Sequence, residues 1–408
     1  MAISPGCLKH TESSMFILKA IYLVSLVYLG ITTGWLCLIT LASWFHRTRK
    51  DRTAPPRSMG VIVPAHNEEL QIRKTIEAIR RADYPAELLE VIVIADNCSD
   101  RTAVEAAAAG ATVIQRDVAD KRGKGQALDW FFQTCSSSYA HLDCVAFVDA
   151  DAIPDHRMFH ELSQSLAAPG VRVVQGFNGV ANPYQNWRTA LNTAAFNVFN
   201  HLRMAGNDRL FGTSSLKGLG MAFETSVLLR FGWPAHSVVE DLEFTLRLLE
   251  ENIRVRYNPD AVITSEMAES RQQADSQRRR WEQGRFLLIF RALPGLVKKI
   301  LKGNVRFFPV LMDLLIPPLA LLVVLSGAGL VVAAVFVPES LVMQLVFLAI
   351  LVLYVCSGQL QRRADLKLWG YLAVAPIFIL WKLSIYLKMI TRGKKLGWDR
   401  TVRKAEMK

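Results

Sequence analysis

Between residues 60 and 151, short apolar runs alternate with mixed apolar–polar stretches. Val61–Ala65, Leu89–Asp96, Ala111–Gln115 and Cys144–Asp151 are brief, largely rich in β-branched residues and bounded by turn formers, so they predict strands. The stretches between them, Glu68–Arg81, Asp100–Ala109 and Gly125–Cys135, predict helices. That rhythm predicts an α/β fold built on a parallel, doubly wound sheet. In such sheets ligands bind beyond the carboxyl ends of the strands. After Pro154 the pattern is less regular. Residues 171–183 read as a strand with a glycine turn, 187–205 as a helix, and 212–224 as a glycine-bearing loop entering a strand. Residues 237–250 predict a helix with Glu240 and Asp241 in its first turn.

The two ends of the chain follow a different pattern. Ala20–Phe45 holds no charged residue and is followed by His46, Arg47, Arg49, Lys50 and Arg52. About 20 apolar residues cross a bilayer. The run is too long for a signal-peptide core and has no small-residue cleavage site, which predicts an uncleaved signal anchor. The basic cluster places residue 46 onward in the cytoplasm. Residues 308–337 predict one transmembrane helix, carrying Asp313 and interrupted by Pro317-Pro318, and 341–357 predict another. The piece 368–390 contains Pro376, Lys382 and Lys388. A full crossing there would export the basic tail, 391–408, against the positive-inside rule, which favours a re-entrant or interfacial helix over a transmembrane one. Within 284–305, Phe286, Ile289, Phe290, Leu293, Leu296 and Val297 recur at helical spacing with lysines and arginines largely opposite, predicting an amphipathic interface helix. The expected layout is a tail at 1–19, a span at 20–45, a cytoplasmic domain at 58–283 and the C-terminal helices, in a multi-pass protein of the inner (plasma) membrane.

Composition narrows the function classes. The chain has 408 residues, 51% of them hydrophobic, and a net charge of +12. The charge does not indicate nucleic acid: the basic residues gather at the membrane edges, where they suit anionic lipid headgroups, and are not interleaved with aromatics. Six cysteines without C-x-x-C spacing suggest neither a zinc site nor a disulfide framework.

The chemistry gathers at the predicted strand ends. The first strand ends in Pro64-Ala65-His66-Asn67-Glu68-Glu69, the second in Asp96-Asn97-Cys98-Ser99-Asp100, and the fourth in Asp149-Ala150-Asp151. A lone D-x-D is more simply a solvated loop. In an extended strand, however, Asp149 and Asp151 share a face and repel unless a cation lies between them. Acids at three strand ends, beside the loop Lys121-Arg122-Gly123-Lys124-Gly125, look like a site for a nucleotide, its diphosphate and a divalent cation. The chain has no G-x-x-x-x-G-K-[ST], which excludes a P-loop, and no G-x-G-x-x-G after the first strand, which argues against a dinucleotide site. The helix dipole alone explains acids at the start of a helix; Asp241 there is also positioned to accept a proton from a hydroxyl. Arg280 and Trp281, in DSQRRRWEQGR (275–285), read either as a solvated or membrane-edge basic face, or as a phosphate contact and a sugar-stacking platform.

PAHNEE, ADNCSD, DAD, VED and Q-x-x-R-W (Gln277, Arg280, Trp281) stand in an order and spacing that resembles the membrane-bound family 2 glycosyltransferases, the group of cellulose, chitin and hyaluronan synthases. The resemblance covers residues 58–290. Trp398, Thr401 and Arg403 also look like the tail of bacterial exopolysaccharide transferases of this group. It implies a GT-A fold and an inverting transferase using a nucleotide-sugar, UDP-linked, with Mg²⁺ or Mn²⁺. Carried over residue by residue, it implies nucleoside binding by Ala65, Glu68 and Asp96 with Lys124 nearby, and metal binding by Asp149 and Asp151. It further implies catalysis by Asp241, acceptor contacts from Glu240 and Trp281, and diphosphate contacts from Gln277 and Arg280. Two departures stand out: Val239 replaces the usual threonine before Glu-Asp, and few spans follow the domain. The expected partners are a nucleotide-sugar donor, a lipid-linked or glycan acceptor, membrane lipids and a polysaccharide-assembly system. A processive polysaccharide synthase is the alternative, and a catalytically inactive membrane scaffold a remote one.

Overall fold

The computed structural model describes residues 5–118, 120–233, 239–267, 284 and 288–392. A helix, α1 (Pro5–Trp44), precedes the domain. Strands β1 (Met59–Ala65), β2 (Leu89–Asp96), β3 (Thr112–Arg116) and β4 (Cys144–Phe147) pair in parallel, with β1 between β2 and β4. Helices α2 (Ile72–Arg80), α3 (Thr102–Ala108) and α4 (Lys124–Thr134) connect them. Strand alternation divides the core into two layers. Val61, Val63, Val91 and Val93 face Ile72, Ile76 and Ile79 of α2 and Phe159 and Leu162 of α5 (Met158–Ala167). Ile62, Ile92, Ile94 and Phe147 face Leu128 and Phe131 of α4 and the buried Trp233. Each such side chain, fully buried, contributes about 1.5–3 kcal/mol.

The parallel pairing expected from residues 60–151 is present in this half, and the less regular region after it adds antiparallel strands. β5 (Ala152–Pro154), β6 (Val173–Val180), β7 (Met221–Glu224) and β8 (Val255–Ser265) complete one mixed eight-stranded sheet, in the order β3-β2-β1-β4-β7-β6-β8-β5. β7 is antiparallel to β4 and β6, β5 is antiparallel to β8, and β6 and β8 are parallel. The regular strand–helix rhythm behind the parallel reading stops at β4. β6 runs straight through its glycines instead of turning there. Gly176 pairs with Asn258 and Phe177 with Val262, so Pro259–Ala261 bulge out of the ladder. A Cβ at Gly176 would stand 2.3 Å from the Ala261 carbonyl oxygen, and only glycine admits that bulge.

The predicted helix at 187–205 is longer: α6 (Trp187–Phe196) passes through a π-helical turn (Asn197–Leu202) into α7 (Arg203–Phe211). This rod docks on α1 so closely that a Cβ on Gly206 would lie 2.4 Å from the Ile39 carbonyl oxygen. Helices α8 (Thr225–Phe231), α9 (Glu240–Glu250) and α10 (288–301) follow. The single span expected at 308–337 is two helices, α11 (Phe308–Leu315) and α12 (Leu319–Phe336). Pro317 and Pro318 separate them because proline offers no backbone N–H to continue the ladder. α11 buries Val310, Leu311 and Leu314 with Leu249 of α9 and Leu288 and Leu296 of α10. Phe290, Val297 and Leu301 remain exposed along α10.

Leu18–Trp44, Leu319–Phe336 and Pro338–Gln361 are each long and apolar enough to cross a membrane; the last contains α13 (Leu341–Gln361). α14 (Leu366–Leu372) and α15 (Ala375–Arg392) meet at a bend of 56°, in the region read as transmembrane or re-entrant.

Candidate active site

β2, β1 and β4 deliver their carboxyl ends to one edge of the sheet. Ala65 ends β1, is buried, and pairs with Ala95. Asp96, ending β2, is also buried; its carboxylate is held by Arg116 and accepts from Asn97 Nδ2 at 2.7 Å. His66 Nδ1 donates to the Asp96 carbonyl at 2.6 Å. Glu68 lies in the loop after β1, its N–H donating to Thr102 Oγ1 at 2.7 Å, and Ser99 N donates to Asn67 Oδ1 at 2.8 Å. Asn67 and Asn97 both adopt left-handed backbone, with φ of 54° and 50°, which lets both loops turn sharply at the strand ends.

Asp149 and Asp151 do not extend β4, as the strand argument assumed. The strand stops at Phe147, and Ala152 N donates to the Asp149 carbonyl at 3.0 Å, closing a turn that brings both acids to the edge. Lys124, at the start of α4, donates from Nζ to Asp149 Oδ1 and, at 2.6 Å, to the Gly218 carbonyl. Gly218 has φ +73°, and a Cβ there would lie 3.9 Å from Asp241 Oδ2 and 4.0 Å from Lys124 Nζ. Lys124, Asp149 and Asp241 therefore converge around one glycine turn.

Burial disfavours the Lys124 ammonium, but Asp149, Glu240 and Asp241 outweigh it and raise its pKa. Burial, then Asp241, pushes Glu240 up, and burial raises Asp241 while Lys217 and Lys124 pull it back down. Val239, at the N-cap of α9, supplies no capping side chain, and Asp241 Oδ1 accepts the Leu242 N–H at 2.8 Å. Among the described residues no group of three or more His, Cys, Asp or Glu side chains is arranged to hold a metal. Two carboxylates in one turn nevertheless fit Mg²⁺ or Mn²⁺, because such ions commonly take one or two carboxylates and complete their shell with substrate phosphates and water.

Sequence reading missed the parts that hold this turn. Gln175, fully buried in β6, accepts from Lys217 N at 2.8 Å and donates to the Leu219 carbonyl at 2.7 Å. Thr245 of α9 accepts from Leu216 N at 2.9 Å. The signal available was one glutamine inside the apolar run Val173-Val174-Gln175-Gly176-Phe177. Gln277, Arg280 and Trp281 lie outside the described residues.

The mixed α/β sheet, with acids and a lysine gathered at one strand edge, resembles in build the domains of nucleotide-using transferases. A family model described as "Glycosyltransferase like family 2" matches residues 55–284, more than half of the 408 residues, and the chain belongs to that family. It is 27% identical over 248 residues to the probable glycosyltransferase YdaM of Bacillus subtilis, covering 59% of this chain and 58% of that protein. It therefore spans little more than half of that relative's length. It is 25% identical over 356 residues to an N-acetylglucosaminyltransferase of Rhizobium meliloti, covering 82% of this chain and 79% of that one. A mannosyltransferase of Pyrobaculum calidifontis, solved with GDP-Man and Mn²⁺, superposes with a TM-score of 0.57 at 18% identity. That match covers 85% of this chain and 99% of the other and shows a shared fold.

Proposed function

We propose that this family 2 glycosyltransferase is an inverting, metal-dependent enzyme of the cell's inner membrane. It moves a sugar from a UDP-linked donor to a lipid-linked or saccharide acceptor at the cytoplasmic face, in exopolysaccharide or cell-surface glycan synthesis. The observation that carries this reading is the convergence of Lys124, Asp149 and Asp241 around Gly218. In this reading the nucleoside lies over Ala65, Glu68 and Asp96. Asp149 and Asp151 hold a divalent cation, which when bound supplies Lewis-acid stabilisation to the departing diphosphate. Lys124 adds its charge to the same diphosphate, with Gln277 and Arg280, while Trp281 and Glu240 contact the acceptor. Asp241 takes the proton from the attacking hydroxyl. One displacement needs one base, and its partly desolvated carboxylate is more basic than one in water. The candidate spans and the exposed apolar stripe of α10 support a membrane location.

Nucleotide release by full-length detergent-solubilised protein, screened across UDP- and GDP-sugars with Mn²⁺ or Mg²⁺ and a membrane-lipid extract, tests the reading. Asp241→Asn and Asp151→Ala are each expected to lower turnover by about 10²-fold or more, and chelation is expected to abolish it. Release insensitive to both substitutions would refute the site. Product length separates single transfer from polymerisation.

A further inference from the structure

A cleft beside the end of α1 carries charge that the transfer reaction leaves unused. Its volume is about 790 Å³, and its lining includes Trp44 and Phe45 together with Arg47, Arg49, Arg209 and Arg254. All four arginines are exposed, and none has a carboxylate partner among the described residues. Asp208, the acid in the lining, is buried and already engaged: His46 Nε2 is 2.9 Å away and Arg256 Nη2 donates to it at 3.0 Å. Burial lowers the Arg256 pKa; Asp208 opposes this, while the charges of Arg49 and Arg254 add to it, so Asp208 serves Arg256 and the neighbouring arginines still register as positive charge there. Lys124, Asp149, Asp151 and Asp241 do not line it.

The planar guanidinium fork suits a phosphate. Trp44 is the last residue of the first candidate span, and Trp44 and Phe45 are 52% and 69% exposed. Such ring surface sits at the headgroup level of a bilayer. A ligand bearing a phosphate next to an apolar chain satisfies both the arginines and the rings of this lining, whereas a free anion satisfies only the arginines. We propose that this cleft binds the headgroup phosphate of an anionic membrane phospholipid, a site separate from those of donor and acceptor. The proposal rests on α1 spanning the membrane. Occupancy would tie α1, the end of α7 (Arg209) and the start of β8 (Arg254) together at the bilayer surface.

Full-length protein in nanodiscs of phosphatidylcholine and phosphatidylglycerol, released and weighed by native mass spectrometry, tests it. The wild type is expected to retain phosphatidylglycerol preferentially. R47Q/R209Q/R254Q is expected to weaken that retention about a hundredfold, while R47K/R209K/R254K keeps most of it; melting temperatures verify that both variants fold. Equal retention by wild type and the glutamine variant would overturn the proposal. Displacement of the lipid by inorganic phosphate would also overturn it and assign the cleft to a free anion. Resistance to carbonate extraction tests the membrane reading by itself. Extraction would overturn both readings, whereas resistance with unchanged lipid retention would overturn only the lipid site.

Discussion

Lys124 holds the charge balance of the candidate active-site turn. Its ammonium pulls down the pKa values of both Glu240 and Asp241, which burial raises. A base works deprotonated, so activity should fall as pH drops through a value above the ordinary carboxylate range. Removing the ammonium should raise that value further. Lys124→Met is therefore expected to move the acidic limb of the kcat/KM profile to higher pH as well as lowering the rate; an unmoved limb would separate Lys124 from the base. Gln175 acts one step removed, by pinning the backbone of Lys217 and Leu219. Gln175→Leu leaves two backbone groups unpaired at about 1–3 kcal/mol each. It should lower the melting temperature and kcat while changing KM little.

At the scale of elements, four strands were legible because Val61–Ala65, Leu89–Asp96, Thr112–Gln115 and Cys144–Phe147 are uninterrupted apolar runs or nearly so. β8 was not, because Asn258-Pro259-Asp260 within it reads as a turn, and the bulge that accommodates it depends on a partner strand about eighty residues away. β5 is too short to carry a pattern. Asp149 and Asp151 were legible as a pair but not as a turn, since strand length at β4 is set by β7, which pairs only as far as Phe147. Ala65, Asp96, Lys124 and Asp241 were singled out because they stand at the ends of predicted elements, whereas Lys217 and Gln175 meet only in the folded chain. The π-helical turn has its own signature. His201 is packed against Tyr257 of β8, its Nδ1 3.1 Å from Tyr257 Oη, and burial, then Arg362, lowers its pKa to about 3. The unfolded value is about 6.5, so the unfolded chain binds the proton more readily between those values. Stability is complete above pH 6.5 and is lost as pH falls towards 3. Melting temperatures between pH 7 and 5 should fall less steeply in His201→Gln than in the wild type. Gly206→Ala, forcing a methyl against the Ile39 carbonyl, should cost about 1–3 kcal/mol, read as a lower melting temperature.

At the scale of the whole molecule, α1 and the α6–α7 rod share a core: Leu29, Leu36 and Ile39 pack with Val198 and Leu202, and with Met312, Phe347 and Tyr354 of the later helices. A chain beginning after residue 46 would bare that seam, and such a fragment is expected to aggregate without detergent; a monodisperse soluble fragment in gel filtration would contradict this. The fit at Gly206 depends on the small and self-satisfied side chains of α1. Thr33 and Thr40 return their hydroxyls to the carbonyls of Leu29 and Leu36, each at 2.6 Å, and leave a smooth surface for the rod. The first helix is thus a shaped component and not an interchangeable tether. Exchanging it for a polyleucine segment of equal length would keep a helix long and apolar enough to cross a membrane yet deprive the α/β domain of its seat. Whichever chains inherit this architecture must keep the two surfaces matched as a pair.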